Sequence, residues 1–469
     1  MARAYARAVP APGVAADPLL QRAPWLAVLR QGVPLAFGFA SHALINLVDL
    51  ALVGRLGGDA LQAAHIGSTW NVLPMIVGNC VSTALLASLS RDLGAGDVAS
   101  ARARNRRAQA FVVGFALLLA LLTTLPAGPM VDLMAAGPNV RADALHYLVV
   151  SNLGCVTMFV LMQTTAAMRA VGEVAMPVLL LLGANVVNLA LALPLLYGFD
   201  AIGLPGVGVV GAAYAAVASR TLAAVVAVAW LWRASHPLSL RSTAGTKPVA
   251  PPAVPPPAVA LPLLRDAWPQ SLQIGLRAGL VLLLTPLLRN GHGEGAAIAF
   301  SITTRYDTVV LFASIGFANA ATAYAGRAVV VGRERAARHA GFAAAVQAAA
   351  FGAICVLAMI AFADVLVGWC LPGPKPAVVA FAADYFAGAG WSHVAGAAAL
   401  GAIGAVQGAG AMQAPLRLDL LGFAVAYAAV LLVGEGSTAA LYLALGGGMV
   451  VVALLQLGLV ARGRWARPE

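Results

Sequence analysis

Hydrophobic residues run through this chain in long blocks rather than in alternation. Twelve such blocks can be drawn, at about 32–54, 63–88, 108–127, 145–168, 176–198, 208–232, 268–288, 297–324, 340–363, 377–405, 416–434 and 437–461, with Gly, Pro or charged clusters between them. An α-helix rises about 1.5 Å per residue, so about 20 apolar residues cross a bilayer core of roughly 30 Å. The pattern predicts an all-α polytopic membrane protein with twelve transmembrane helices. Polar residues inside the blocks are few, which makes them informative. In the first block, VPLAFGFASHALINLVDLALVG, His42, Asn46 and Asp49 recur at i, i+4 and i+7 and share one helical stripe. A carboxylate at that depth either faces a bundle interior or watery cavity, or glues two helices together.

Composition agrees with the pattern. Of 469 residues, 61% are hydrophobic and 10% charged, against about 25% charged in soluble domains. The net charge of +11 sits in loops and does not indicate a nucleic-acid partner. It sets topology instead. Taken from the N-terminus, the two tails and every second loop hold 22 Lys and Arg, and the opposite loops hold four: Arg55, Arg141, Arg289 and Lys375. By the positive-inside rule both termini are expected in the cytoplasm. The four cysteines lack metal-ligand spacing and read as small hydrophobes.

Residues 241–262 carry seven prolines and no periodic apolar face, the composition of an extended, semi-rigid spacer. It divides the chain into halves, and the halves repeat. Pro34 answers Pro269 and Gly58 answers Gly293, both at an offset of 235; Gly96 answers Gly332 at 236, and Gly172 answers Gly410 at 238. Six helices per half make the copies parallel repeats about an axis along the membrane normal. The expected organisation is a disordered tail (1–31), an N-lobe of six spans (32–232), a Pro-rich linker (233–265), a C-lobe of six spans (266–461) and a short tail (462–469). Two pseudo-symmetric lobes of this kind suit alternating access around a cavity.

Three stretches then carry a family likeness: LVDLALVGRLGGDALQAAHIG in and after the first helix, SRDLGAGDVASARA after the second, and AAMRAVGEVAMPVLLLLGANVVNLALALPLLYG with GVGVVGAAYAAVASR around the fifth and sixth. They resemble the multidrug and toxic compound extrusion (MATE) antiporters, most nearly the DinF-like clade. The resemblance implies an N-lobe acidic cavity built by Asp49 and Asn188. A second Asp often found four residues past that Asn is replaced by Ala192, and a Thr of the sixth helix by Ala216. A Glu that some members carry on the seventh helix is replaced by Arg277, eight residues after Pro269. With those oxygens gone, a proton is expected as the coupling ion in preference to sodium. The cation-coupling set is Asp49, Asn188 and His42, His42 as a relay or tuning group. Asn46, Gln273, Arg277, Asp307 and His393 are candidates for lining the substrate cavity; Arg277 reads equally as an anion-attracting group or as a structural partner for Asp307. Arg220 is expected to snorkel or pair structurally.

No Walker loop, metal-ligand cluster or nucleophile elbow occurs in the sequence, so no enzyme, metal or cofactor is expected. The expected activity is export of small organic compounds, cations among them, against protons by a monomer in the cell membrane. Competing readings are an organic-anion exporter of the citrate type, a lipid-precursor flippase, and a transport-inactive scaffold or receptor.

Overall fold

The computed structural model describes residues 17–134, 138–199, 203, 205–241, 259–371, 373–434 and 436–466. Most of the expected N-terminal tail, the proline-dense stretch 242–258 and the last three residues lie outside the described residues. The helices of the first half are α1 (Pro24–Gly54), α2 (Gly58–Gly94), α3 (Val98–Thr124), the short α4 (Ala127–Leu133), α5 (Pro138–Leu153), α6 (Cys155–Ala170), α7 (Ala175–Tyr197) and α8 (Val210–Leu231). Those of the second half are α9 (Ala260–Val330), α10 (Glu334–Ala361), the short α11 (Ala363–Cys370), α12 (Pro376–Gly388), α13 (Gly390–Gly408), α14 (Gln413–Val433) and α15 (Thr438–Arg462).

Among the described residues ten helical segments are long and apolar enough to cross a bilayer. One of them, α9, has 71 residues and is broken at Gly293 (φ 80°, ψ −179°). At about 1.5 Å per residue it is far too long for one crossing, so its two parts supply an eleventh span. The pair α12 and α13, bent by 43°, supplies the twelfth. The pattern of apolar blocks had already placed a boundary between 288 and 297, where Gly293 turns the chain. A left-handed φ costs glycine nothing sterically.

The repeat is visible in how helices end. Gly96, Gly172, Gly332 and Gly410 all have left-handed φ, at 76°, 86°, 75° and 90°. Behind each, the next amide reaches five residues back: Asp97 N to Asp92 O, Glu173 N to Met168 O, Arg333 N to Ala328 O, Ala411 N to Val406 O. This is the Schellman closure that satisfies a helix's last carbonyls, and it recurs at the pairs of positions that the internal repeat matches.

The chain divides into two compact units: one holds 44–93 and 97–267, the other the described residues up to Ala43, 94–96 and those from Trp268 onward. The division falls within α1, and α1 starts at Pro24, ahead of the apolar block. In the C-terminal unit the glycines of α13 let backbones meet: Gly404 abuts Ala318, Gly401 abuts Ala344 and Gly408 abuts Thr322. Thr322 Oγ1 donates to the Gly404 carbonyl at 2.8 Å. Lipid offers no hydrophobic drive between helices, so close approach and such bonds hold them together. In the N-terminal unit the chain just after α8 is pinned. Arg102 Nε donates to Pro237 O at 3.1 Å and Asn105 Nδ2 to Leu238 O at 3.0 Å.

Candidate functional site

Asp49 lies near the end of α1, and Asn188 is buried halfway along α7. Asn188 Nδ2 donates to both carboxylate oxygens of Asp49, at 2.8 and 2.9 Å. One amide NH2 serving two oxygens suits an ionised carboxylate, which can only accept. Asn188 Oδ1 is buried and has no hydrogen-bond partner. Leu52, three residues after Asp49, and Ala192, four residues after Asn188, belong to the buried apolar core of this unit. Two further polar groups feel the Asp49 charge through space, Arg220 of α8 and Tyr147 of α5. Arg220, expected to snorkel or pair structurally, is therefore electrostatically part of this site. Its lone-cation position within an apolar helix was the available signal.

The C-terminal unit holds a second acidic cluster. Tyr385 Oη of α12 donates to Asp307 Oδ2 of α9 at 2.6 Å. His393 Nε2 of α13 lies 3.0 Å from that same oxygen and 3.0 Å from Tyr385 Oη. Asp307 is buried, and its Oδ1 has no hydrogen-bond partner. Phe300 and Tyr442 pack edge-on against Tyr385. The structure thus joins Asp307 and His393, named from sequence, through Tyr385, which sequence reasoning missed. Tyr385 and His393 stand on opposite sides of the bend between α12 and α13, so no helical spacing pointed to the pair.

Arg277 is not the partner of Asp307. The carboxylate acting on it through space is Asp419 of α14, whose Oδ1 accepts from Gln456 Nε2 at 2.6 Å. Tyr385 and His393 both meet Asp307 through Oδ2. Asp419 passed unnoticed in sequence because it lies beside Arg417 at the start of its block, where a charge is unremarkable. Gln273, one turn before Arg277, is buried.

His42 and Asp49 fall in different units. The His42 ring packs edge-on against Phe312 at 6.1 Å. Asn46 is exposed. Among the described residues no group of three or more His, Cys, Asp or Glu is placed to hold a metal ion.

This is a membrane-embedded, two-unit scaffold with buried polar clusters around carboxylates in both halves. Residues 34–193 and 289–456 match the family described as MatE. The chain belongs to the MatE family. Its fold agrees: a crystal structure of a MATE protein in complex with MaL6 superposes with a TM-score of 0.82 at 18% identity, covering 96% of this chain and 98% of that one. A probable multidrug resistance protein NorM of Bradyrhizobium diazoefficiens is 30% identical over 352 residues, 71% of this chain and 69% of that protein. Another probable NorM, of Agrobacterium fabrum, is 28% identical over 205 residues, and there the match spans 43% of the relative. These matches support the family and do not bear on the DinF-like branch. As a MatE protein the chain is a membrane transporter and not an enzyme.

Proposed function

We propose that this MatE protein is a multidrug efflux antiporter that exports small organic compounds in exchange for protons, with Asp49 as the coupling carboxylate. The observation that supports it most is the Asp49–Asn188 pair, an acid and a buried amide on two apolar helices. Ionised, Asp49 accepts both bonds from Asn188 Nδ2. Protonated, it becomes a donor, and a flipped Asn188 amide would offer it Oδ1, now without a partner. One side chain can therefore serve both protonation states while the net charge of the site changes by one. That change alters both the cost of exposing the site to lipid and its attraction for a cationic substrate, so proton and substrate compete for it.

Sodium fits less well. A hard cation seeks roughly six oxygen ligands, and the positions flanking this pair, Ala192 and Ala216, contribute none. Residence in a bacterial inner membrane with both termini cytoplasmic is part of the same proposal and rests on the arginine distribution.

The test is transport by the purified protein in proteoliposomes, with ethidium as a fluorescent cationic substrate. A pH gradient, acid on the side that receives substrate, is expected to drive export, and a sodium gradient of equal size is not. Export driven by sodium alone would refute proton coupling; no export under either gradient would refute the efflux reading.

A further inference from the structure

We propose that Gln273 and Arg277 form a binding site for an anionic, carboxylate-type group of an exported substrate. The proposal rests on the export reading above and gives its substrates a chemical class. Both residues lie in the first part of α9, between Pro269 and Pro286. Four residues apart, they share a helical face one turn from each other. Gln273 Nε2 and Arg277 Nη2 are both buried and both lack a hydrogen-bond partner. Two adjacent buried donors without an acceptor cost stability in any protein, and a cation at membrane depth more so. Such an arrangement persists when an acceptor arrives in the working cycle.

Among the described residues neither donor atom has an acceptor. Asp419 reaches Arg277 only through space, and its Oδ1 is engaged by Gln456. What the protein does supply is a seat for the guanidinium and a platform beside it. The Arg277 Nη1 occupies space left open by Gly396, where a Cβ would stand 3.2 Å away. The Phe423 ring lies 5.7 Å from the guanidinium carbon, a cation–π contact that holds the group without consuming its donors. A guanidinium is a planar fork matched to two oxygens of one carboxylate, and the Gln273 amide adds a third donor beside it. Acceptor-rich, negatively charged groups fit this set, and cations do not.

Equilibrium binding tests the site without any gradient, so a failure of transport in the parent leaves this experiment readable. Carboxyfluorescein serves as the anionic probe and ethidium as the cationic one, both followed by fluorescence anisotropy on detergent-purified protein with matched melting curves. Arg277→Gln is expected to weaken carboxyfluorescein binding at least about tenfold and to leave ethidium within about twofold, the loss typical of a charge-assisted pair. Arg277→Lys should recover part of it, since charge returns without the fork. Asp419→Asn should tighten carboxyfluorescein binding by removing a nearby negative charge. The basic loops are intact in every variant, so the differences report the intramembrane site. The proposal is overturned if the parent fails to bind carboxyfluorescein, if Arg277→Gln binds it as tightly as the parent, if both probes weaken together, or if Asp419→Asn weakens the anion. Should Arg277→Gln fail to fold, Gln273→Leu decides: a drop of about threefold for the anion alone supports the site, and no change overturns it.

Discussion

The two halves of this MatE protein place their carboxylates in non-equivalent spans and surround them differently. In the N-terminal unit the acid is Asp49 of the first span, held by one neutral amide. In the repeat, 235 positions on, stands Leu284, which is buried among apolar neighbours. In the C-terminal unit the acid is Asp307, in the second span of its half, held by Tyr385 and His393 of the fourth. The second and fourth spans of the N-terminal half meet instead through a neutral pair: Asn71 Nδ2 donates to Asn152 Oδ1 at 3.4 Å, and Asn152 Nδ2 to Thr123 O at 3.0 Å. One duplicated scaffold therefore carries a lightly held carboxylate on one side and a heavily bonded one on the other. A carboxylate with one amide partner can change protonation without dismantling its surroundings. One that anchors a buried tyrosine and a histidine cannot do so as cheaply. The difference is the ground for proposing Asp49, and not Asp307, as the coupling carboxylate.

The comparison breaks most readily at Asp49. Asp49→Asn keeps the shape and removes titration, and it is expected to lower pH-driven ethidium export at least about thirtyfold, with a melting temperature equal to or above the parent's because no ionisable group need be kept from lipid. Asn188→Ala removes a hydrogen-bond partner and not the titrating group; export should fall about three- to tenfold, consistent with a bond to a charged acceptor. Both are read as initial efflux rates at matched protein amount.

Tyr385→Phe sharpens the other side. It leaves Asp307 buried with one donor fewer, at a cost of about 1–3 kcal/mol, so thermal melting should drop while export stays within about threefold of the parent. If export collapses with stability unchanged, the C-terminal cluster is part of the coupling machinery. The smallest effect is expected outside the spans. There the Arg141 fork donates to both oxygens of Asp132, at 2.6 and 3.0 Å, and holds that carboxyl below its ordinary range. A depressed carboxyl stabilises the fold above its unfolded-state value and loses that contribution as pH falls through the folded one. The pair is exposed, so Arg141→Ala should leave export and neutral-pH melting nearly unchanged.

Much of the fold was legible because a bilayer imposes simple rules. Twelve apolar blocks became twelve spans, and the glycine pairs at 96/332 and 172/410 marked equivalent turns, since a left-handed residue leaves a glycine in the sequence. Asp49 and Asn188 were legible through their motif contexts, and the structure joins them. Spacing also set His42 on the same stripe as Asp49, but it says nothing of which unit each part of that helix packs into; a relay role for His42 stays a proposal. Tyr385 and Asp419 were missed for a related reason. Their significance lies in partners 78 and 37 residues away, and no local spacing encodes such pairings. Of the alternatives open for Arg277, the structure does not form the pair with Asp307, which meets Tyr385 and His393 instead.

The most direct test of the coupling claim is proton release on substrate binding, measured with a pH indicator in weakly buffered detergent solution as ethidium is added to purified protein. The parent should release protons as the cation displaces them from Asp49, the Tyr385→Phe variant should release as many, and Asp49→Asn should release none while still binding ethidium. Equal release from the parent and from Asp49→Asn would contradict the account and place the coupling proton elsewhere.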